Sequence, residues 1–167
     1  MGDAFPIYKA RYPFAKLIGV DFSPVAIKKC VSRYSDVASF TCVDHRRCPH
    51  AEVIIASNVL EHLDDDQDVL ASLFSKCRDL YVVVPYREQY LISEHVRAYD
   101  KKSFDFFSPK RIKVFSSKGW SQYGLKIVWW DFGIKNVLRP FFGKTHQRRR
   151  LQILYHFHNS DFRDIDQ

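Results

Sequence analysis

The chain has 167 residues and a formal net charge of +7, and its hydrophobic residues, 46% of the total, can supply a core. A chain of this length buries roughly 70% of the surface that its unfolded form exposes, so stability needs no metal or disulfide framework. Six glycines and seven prolines exclude a collagen-like or low-complexity chain, and no apolar run approaches the roughly 20 residues of a membrane-spanning helix. With four scattered cysteines, we predict a soluble, cytoplasmic protein with one domain over residues 1–160 and a polar tail over 161–167.

Charge is distributed unevenly along the chain. Residues 1–100 hold 12 basic and 14 acidic side chains, a net of −2, whereas residues 101–167 hold 14 basic and 5 acidic ones, a net of +9. Such asymmetry suggests an acidic partner for the second part, such as nucleic acid, phosphate or a lipid surface. A solvated basic face that only aids solubility explains the asymmetry equally well.

Short apolar runs predict four strands, at residues 17–22, 39–43, 51–57 and 80–84. Ser23 and Pro24 supply a cap and a first helical position, so a helix is predicted directly after the first strand. Four aspartates between residues 64 and 68, followed by an apolar stripe over 69–74, predict another helix before the fourth strand. Strands that are apolar throughout are typical of a sheet covered on both faces, so the predicted fold class is α/β with a mostly parallel sheet.

The last third of the chain has a different pattern. Residues 86–107 lack a sustained period and are predicted to form a long excursion of the kind that serves as a lid or binding segment. The Ser-Pro pair at 108–109 repeats the cap-plus-proline signal, and we predict a helix from there to about Lys118. The apolar segments 125–132 and 151–157 are predicted to form an antiparallel C-terminal strand pair.

Ligands in an open α/β sheet bind outside the carboxyl ends of the strands, so polar residues at those ends are the first candidates for function. The polar residues there are Asp21, Asp44 with His45, and Ser57 with Asn58. The same segments carry a resemblance to a known family. The matching stretches are residues 17–27 (LIGVDFSPVAI), Asp44 with 51–63 (AEVIIASNVLEHL), 81–85 (YVVVP), 94–96 (EHV) and 108–120.

In that order, these stretches resemble the second strand, the fourth strand with its following loop, the fifth strand and the downstream layout of class I S-adenosylmethionine (SAM) dependent methyltransferases. The resemblance covers residues 5 to about 157. It implies a Rossmann-like, mostly parallel sheet flanked by helices, methyl transfer as the activity, and SAM as the cofactor.

The resemblance also implies roles for the residues at the strand ends. Asp21 would accept hydrogen bonds from the ribose hydroxyls. Asp44 would accept a hydrogen bond from the exocyclic amine of adenine, with the backbone of His45 beside it. Phe22 would pack on the adenine ring. Each residue has a structural alternative: Asp21 as a cap for the following helix, Asp44 as a turn residue that caps its own loop, and Phe22 as part of the core.

Ser57, Asn58 and Gly2 complete the predicted cofactor-binding set. The family normally carries a Gly-rich turn after its first strand, and Gly2 with Asp3 would be the remnant of that turn. The first strand itself is not recognised here, so the domain is interpreted as N-terminally truncated. We therefore expect this chain to bind SAM weakly or not at all and to show no measurable turnover, and we expect exposed sheet edges through which homo-oligomers could form.

The candidate catalytic residues are His62, Glu94 and His95, since a general base assists methyl transfer to a hydroxyl group. For His62, a loop or helix-capping role is the alternative. The Asn/Asp-Pro-Pro-Tyr tetrad of enzymes that methylate base or amide nitrogens is replaced by SNVL at residues 57–60, which favours a hydroxyl or carbon of a small acidic or sugar-like molecule as the acceptor. The side chains predicted to line an acceptor-side lid, and not to pack in the core, are Tyr86, Arg87, Glu94, His95 and Arg97.

Three other functions are weighed against this interpretation. Cys42, His45, Cys48 and His50 are ligand-type residues close together in sequence, but zinc sites usually have paired clusters that a longer connection separates, so no metal site is predicted. A non-catalytic binding module or partner subunit would keep the sheet without the cofactor loop. The basic clusters, at 101–102, 110–113 and 148–150, leave an RNA-modifying enzyme open, although nucleic acid is not the favoured partner.

Overall fold

The computed structural model describes residues 2–88, 95–116, 134–143 and 151–162. Within these ranges the helices are α1 (Phe5–Arg11), α2 (Pro24–Tyr34), α3 (Asp66–Phe74) and α4 (Lys135–Leu138). The strands are β1 (Ile18–Asp21), β2 (Ser39–Cys42), β3 (Ala51–Ser57), β4 (Cys77–Pro85), β5 (Arg111–Ser116) and β6 (Leu151–His158). Among the described residues, no helix has both the length and the apolar character needed to cross a membrane.

The strands form two hydrogen-bonded sheets. In the first, β1 and β2 are parallel. In the second, the strand order is β3-β4-β6-β5, in which β3 and β4 are parallel and β6 is antiparallel to both of its neighbours. The predicted α/β class is thus confirmed, because β1 to β4 all pair in parallel and an antiparallel strand is added at the C-terminal side.

The helix signals in the first half of the sequence are confirmed. Ser23 caps α2, since its Oγ accepts a hydrogen bond from the backbone N–H of Ala26 at 3.3 Å, and Pro24 occupies the first helical position. Ala26 and Cys30 are the buried residues of α2, which packs on β1 and β2. The predicted second helix is α3, which buries its apolar residues against β4.

The helix predicted after Ser108 is wrong over its described part, because Arg111–Ser116 forms β5. Ser108 has a left-handed backbone, with a φ of 48°, and not the extended backbone of a helix cap. Ile112 and Val114 pack against the core, whereas Arg111 and Lys113 are exposed, which is the period of two of a strand. β5 is therefore an antiparallel partner of β6, whereas residues 125–132, which were predicted for that role, lie outside the described residues.

The core is formed by α3, the four-stranded sheet and the segment that follows residue 95. The fully buried side chains of this core include Leu60, Leu70, Leu80, Val82, Val84, Tyr99, Phe104, Ile153, Tyr155 and Phe157. β6 supplies three of these side chains, so this central strand is needed to complete the core.

Within the described residues, β1 pairs only with β2, and β3 pairs only with β4. β3 leaves two apolar side chains open to solvent, since Val53 is 46% exposed and Ile55 is 45% exposed. A strand that has one unpaired edge and exposed apolar residues can pair with a strand of another chain. Homo-oligomer formation through these edges stays a prediction.

Candidate functional site

Asp21 and Asp44 lie at the same end of the first sheet, because β1 and β2 are parallel and each aspartate stands at or just beyond the end of its strand. Asp21 Oδ1 accepts a hydrogen bond from the backbone N–H of Ser23 at 2.8 Å. Asp44 Oδ1 accepts hydrogen bonds from the backbone N–H groups of Arg46 and Arg47, at 2.9 and 3.1 Å. Asp44 therefore has the capping role that was its predicted alternative, whereas the cap of α2 is Ser23 and Asp21 contacts the backbone of that cap residue. These contacts engage one oxygen of each carboxylate and hold the side chain in place.

The other predicted cofactor residues around this sheet differ in their surroundings. Phe22 is 75% exposed, which excludes the alternative that it belongs to the core. His45 is half-buried and begins the 3₁₀ turn that Asp44 caps. Gly2 has a φ of +77°, and a Cβ at this position would lie only 3.0 Å from Cys30 Sγ and from the Tyr34 ring. Close packing on α2 therefore accounts for the glycine.

Ser57 and Asn58 lie at the carboxyl end of β3, where both are exposed. Asn58 has a left-handed backbone with a φ of 52°, which asparagine adopts more readily than most residues. Its backbone N–H donates to the carbonyl of Val83 at 2.8 Å, and its Oδ1 accepts a hydrogen bond from Gln152 Nε2 at 3.1 Å. Asn58 thus connects the end of β3 to β4 and to β6. A role in cofactor binding stays a prediction.

A second polar group forms where the 3₁₀ turn Leu60–His62 meets residues 95–99. The potential metal-binding atoms of Glu61, His62 and His95 all lie within 4.8 Å of one another. The two imidazole rings meet edge to face, with centroids 4.9 Å apart. We call Glu61, His62 and His95 the Glu-His-His cluster.

His95 is also held from its other side. Its Nδ1 lies 2.5 Å from Glu88 Oε2, and both side chains are mostly buried. A carboxylate at Nδ1 favours the imidazole form that carries its proton there, which leaves Nε2 as the free nitrogen. The structure therefore places two of the three predicted catalytic residues together, whereas Glu94 lies outside the described residues.

Glu61 has the most unusual surroundings of the group. The residue is 1% exposed, and its Oε2 is buried with no hydrogen-bond partner among the described residues. Burial raises the pKa of this carboxyl above its ordinary value, although His62 and His95 act in the opposite direction. A buried acid beside two imidazoles is characteristic of functional sites.

The raised pKa of Glu61 predicts a pH-dependent effect of Glu61→Gln. At pH 4 the carboxyl is largely neutral in both the folded and the unfolded chain, so the substitution should change the melting temperature little. As the pH rises, the unfolded state of the unsubstituted protein loses this proton before its folded state does. The unsubstituted protein therefore loses stability that the glutamine variant keeps. We therefore expect the melting temperature of the variant, relative to that of the native chain, to increase from pH 4 to pH 8 in metal-free buffer. Glu52→Gln, at an exposed residue, is the control, and a difference that does not vary with pH would contradict the prediction.

Arg97 forms an ion pair with a buried aspartate, which its predicted role as a lid residue did not include. Its guanidinium group lies 2.5 Å from Asp66 Oδ1, and the Asp66 side chain is only 4% exposed. The second oxygen of Asp66 lies 3.0 Å from the hydroxyl group of Tyr99, which is also within reach of the carbonyl of Leu60. These contacts fasten residues 95–99 to α3 and to the turn that carries the Glu-His-His cluster.

Sequence patterns singled out His62 and His95 but missed Glu61 and Glu88. The sequence signal for Glu61 is a carboxylate directly between Leu60 and His62 in an apolar stretch, and only its burial distinguishes it from a surface residue. The Cys42, His45, Cys48 and His50 set does not converge. Among the described residues, the Glu-His-His cluster is the only group of three or more metal-ligand side chains whose ligand atoms lie within 4.8 Å of one another.

No family model matches this sequence, and no curated protein matches it. Solved structures do match. The plantazolicin methyltransferase BpumL, in complex with a triazolic desmethylPZN analog and SAH, has a TM-score of 0.58 at 18% identity, over 95% of this chain and 73% of that one. Coclaurine N-methyltransferase, bound to N-methylheliamine and SAH, has a TM-score of 0.59 at 9% identity, over 91% of this chain and 63% of that one. The [4+2]-cyclase SpnF has a TM-score of 0.57 at 12% identity, over 90% of this chain and 68% of that one.

These similarities concern the fold, because the sequence identities are low. The matches extend over nearly all of this chain and include two methyltransferases and a cyclase. The same architecture thus carries more than one reaction, as is usual for widespread folds. The Rossmann-like arrangement predicted from the sequence is confirmed, and the chain has the class I methyltransferase fold.

Proposed function

We propose that this protein is a SAM-dependent methyltransferase that acts on a hydroxyl group or a carbon atom of a small acidic or sugar-like molecule. The observation that carries the proposal is the pair of carboxylates at the shared end of β1 and β2. Each is fixed through its Oδ1 by backbone N–H groups, and the Oδ2 of each receives no hydrogen bond from the described residues.

The residues at this end of the sheet fit the adenosine part of the cofactor. Asp21 Oδ2 is the acceptor for the ribose hydroxyls, and Asp44 Oδ2 is the acceptor for the adenine amine. The exposed ring of Phe22 offers an apolar surface for the adenine. When bound, SAM supplies the methyl group, carried on a positively charged sulfur.

The acceptor would be bound by a different part of the chain. His62 is exposed and lies against His95, whose Nδ1 is held by Glu88. Together they can receive the proton of an acceptor hydroxyl group as that oxygen becomes a nucleophile. Such catalysis depends mainly on holding the two reactants in line, so the rigid attachment of residues 95–99 to α3 supports this role.

Binding of S-adenosylhomocysteine, measured by isothermal titration calorimetry, tests the cofactor part of the proposal. Asp21→Asn keeps an oxygen that can accept the Ser23 N–H, so the variant should fold normally while it loses the charge that the ribose hydroxyls would meet. Hydrogen bonds to charged groups contribute about 1.5–3 kcal/mol, so we expect the dissociation constant to rise about 10- to 100-fold. Asp36→Asn, in the exposed turn after α2, is the matched control and should bind like the native chain. Equal affinities of the two variants, or no binding to the native chain, would refute the proposal.

A further inference from the structure

The buried Oε2 of Glu61 is an acceptor that a positively charged partner would satisfy. Its Oε2 is shielded from water and receives no hydrogen bond from the described residues. A buried polar atom without a partner is costly, and native proteins rarely keep one unless it has a function or binds a ligand. One carboxylate oxygen of Glu61 lies within 4.8 Å of a ring nitrogen of His62 and of His95, so the carboxylate faces two groups that bind metals through a neutral ring nitrogen.

The donor set has a clear chemical preference. Two imidazoles and one carboxylate are the ligands of many catalytic zinc sites, in which a fourth position stays open. Imidazole ligands favour transition metals, whereas calcium and magnesium prefer sites made of oxygen atoms. Ligand atoms in a tetrahedral zinc site lie about 3.4 Å apart when the bonds are about 2.0–2.1 Å long. The three atoms here lie within 4.8 Å of one another, so small side-chain adjustments would bring them to that spacing.

Glu88 adds an independent feature of a metal site. Histidine ligands usually donate their second ring N–H to a carboxylate, which orients the ring and makes the coordinating nitrogen more basic. Glu88 Oε2 has this relationship to His95 Nδ1, at 2.5 Å. With Glu61 and Glu88 ionised and both imidazoles neutral, the four side chains carry two negative charges, which match a divalent cation.

We propose that Glu61, His62 and His95 bind a divalent transition-metal cation, with Glu88 positioning His95. His62 is exposed and provides the route of entry, whereas Glu61 is the buried anchor. The cation gives the Glu61 oxygen its partner and joins the turn after β3 to residues 95–99. In the metal-bound protein His62 and His95 are ligands and cannot receive the acceptor's proton, so an acceptor hydroxyl group at the open position would lose its proton to solvent water, and more easily than without the cation; this last role rests on the proposed function, whereas the metal site does not.

Cobalt(II) is a suitable probe, because its visible absorption reports coordination by four or five ligands. After treatment with a chelator, the full chain should bind one equivalent of Co²⁺ with such a band, and without the near-ultraviolet band of a thiolate ligand. Zn²⁺ should displace the Co²⁺ and raise the melting temperature, since a ligand that binds only the folded state stabilises it.

The variants assign the site to its residues. Loss of a partner that orients a ligand costs about 10- to 100-fold in metal affinity, so we expect that range for Glu88→Gln and a larger loss for His62→Ala and Glu61→Gln. His62 is exposed, so its alanine variant removes a ligand without changing the buried part of the site. His50→Ala, at an exposed histidine outside the cluster, should bind Co²⁺ like the native chain.

Three results would overturn the metal site: no cobalt band at one equivalent, a thiolate band in its place, or unchanged affinity in His62→Ala. Binding of S-adenosylhomocysteine is measured separately and involves Asp21, so failure of the metal site can be distinguished from failure of the proposed methyltransferase function.

Discussion

Replacing Phe104 by alanine should lower the free energy of unfolding by about 3–5 kcal/mol, because the truncation leaves a cavity that a packed core fills only in part. Phe104 is 1% exposed. Its ring lies 5.3 Å from that of Tyr99 in a stacked arrangement and 5.0 Å from that of Tyr155 in an edge-to-face arrangement. One side chain thus joins the segment after residue 95 to the central strand β6.

Urea denaturation followed by circular dichroism measures this loss. Phe106→Ala is a matched control, because Phe106 lies two positions further along the same segment and is 92% exposed, so its removal should cost no more than about 0.5 kcal/mol. If Phe104→Ala leaves too little folded protein, Phe104→Leu should show a smaller loss in the same direction. Similar midpoints for the Phe104 and Phe106 alanine variants would show that the aromatic cluster does not hold this segment.

Arg97→Ala should lower the free energy of unfolding by about 2–4 kcal/mol. Removing one partner of a fully buried ion pair costs about 3–5 kcal/mol, because the other charge stays buried and uncompensated. Arg97 is 37% exposed, so part of its interaction with Asp66 is screened by solvent, and we expect a somewhat smaller loss. Tyr99 cannot compensate, since its one proton is shared between Asp66 and the Leu60 carbonyl.

A double variant separates the charge effect from simple loss of packing. Asp66→Asn in the Arg97→Ala background removes the unpaired charge and should recover part of the loss in thermal and urea denaturation. Lys101→Ala, at an exposed residue, is the control and should change stability by at most about 0.5 kcal/mol. If Arg97→Ala matches that control and impairs only turnover, Arg97 belongs to the acceptor side, as its sequence context alone predicts.

Local signals predict the first half of this fold well. The Ser23-Pro24 cap begins α2 where it was predicted, and the apolar runs give β1 to β4 within a few residues. These elements depend on short-range chemistry: a hydroxyl group at a helix start, a fixed proline φ and continuous apolar burial. The same reasoning fails at Ser108, where the Ser-Pro pair is followed by β5 because packing of Ile112 and Val114 against the core overrides the local cap signal.

Some residues of the candidate site could likewise be predicted from local sequence, and others could not. Asp21 and Asp44 were predictable, because an acid directly after an apolar parallel strand must lie at the carboxyl end of the sheet. The importance of Glu61 was not predictable, since it arises from contacts with His95 and Val96, which are more than 30 residues away in the sequence. No local pattern distinguishes an exposed glutamate in such a turn from one that a later segment buries.

The position of β6 between β4 and β5 has a consequence for how the chain is made. The ribosome completes β4 at Pro85 and β5 at Ser116, yet among the described residues these strands meet only through β6, which begins at Leu151. Until β6 emerges, β4 lacks its neighbour on that side, and the apolar surface that Ile153, Tyr155 and Phe157 later cover is open to water. Long-range strand insertion of this kind is slow and leaves a nascent chain prone to aggregate. Translation speed and chaperone supply in this interval, more than the stability of the finished domain, should therefore govern the yield of folded protein.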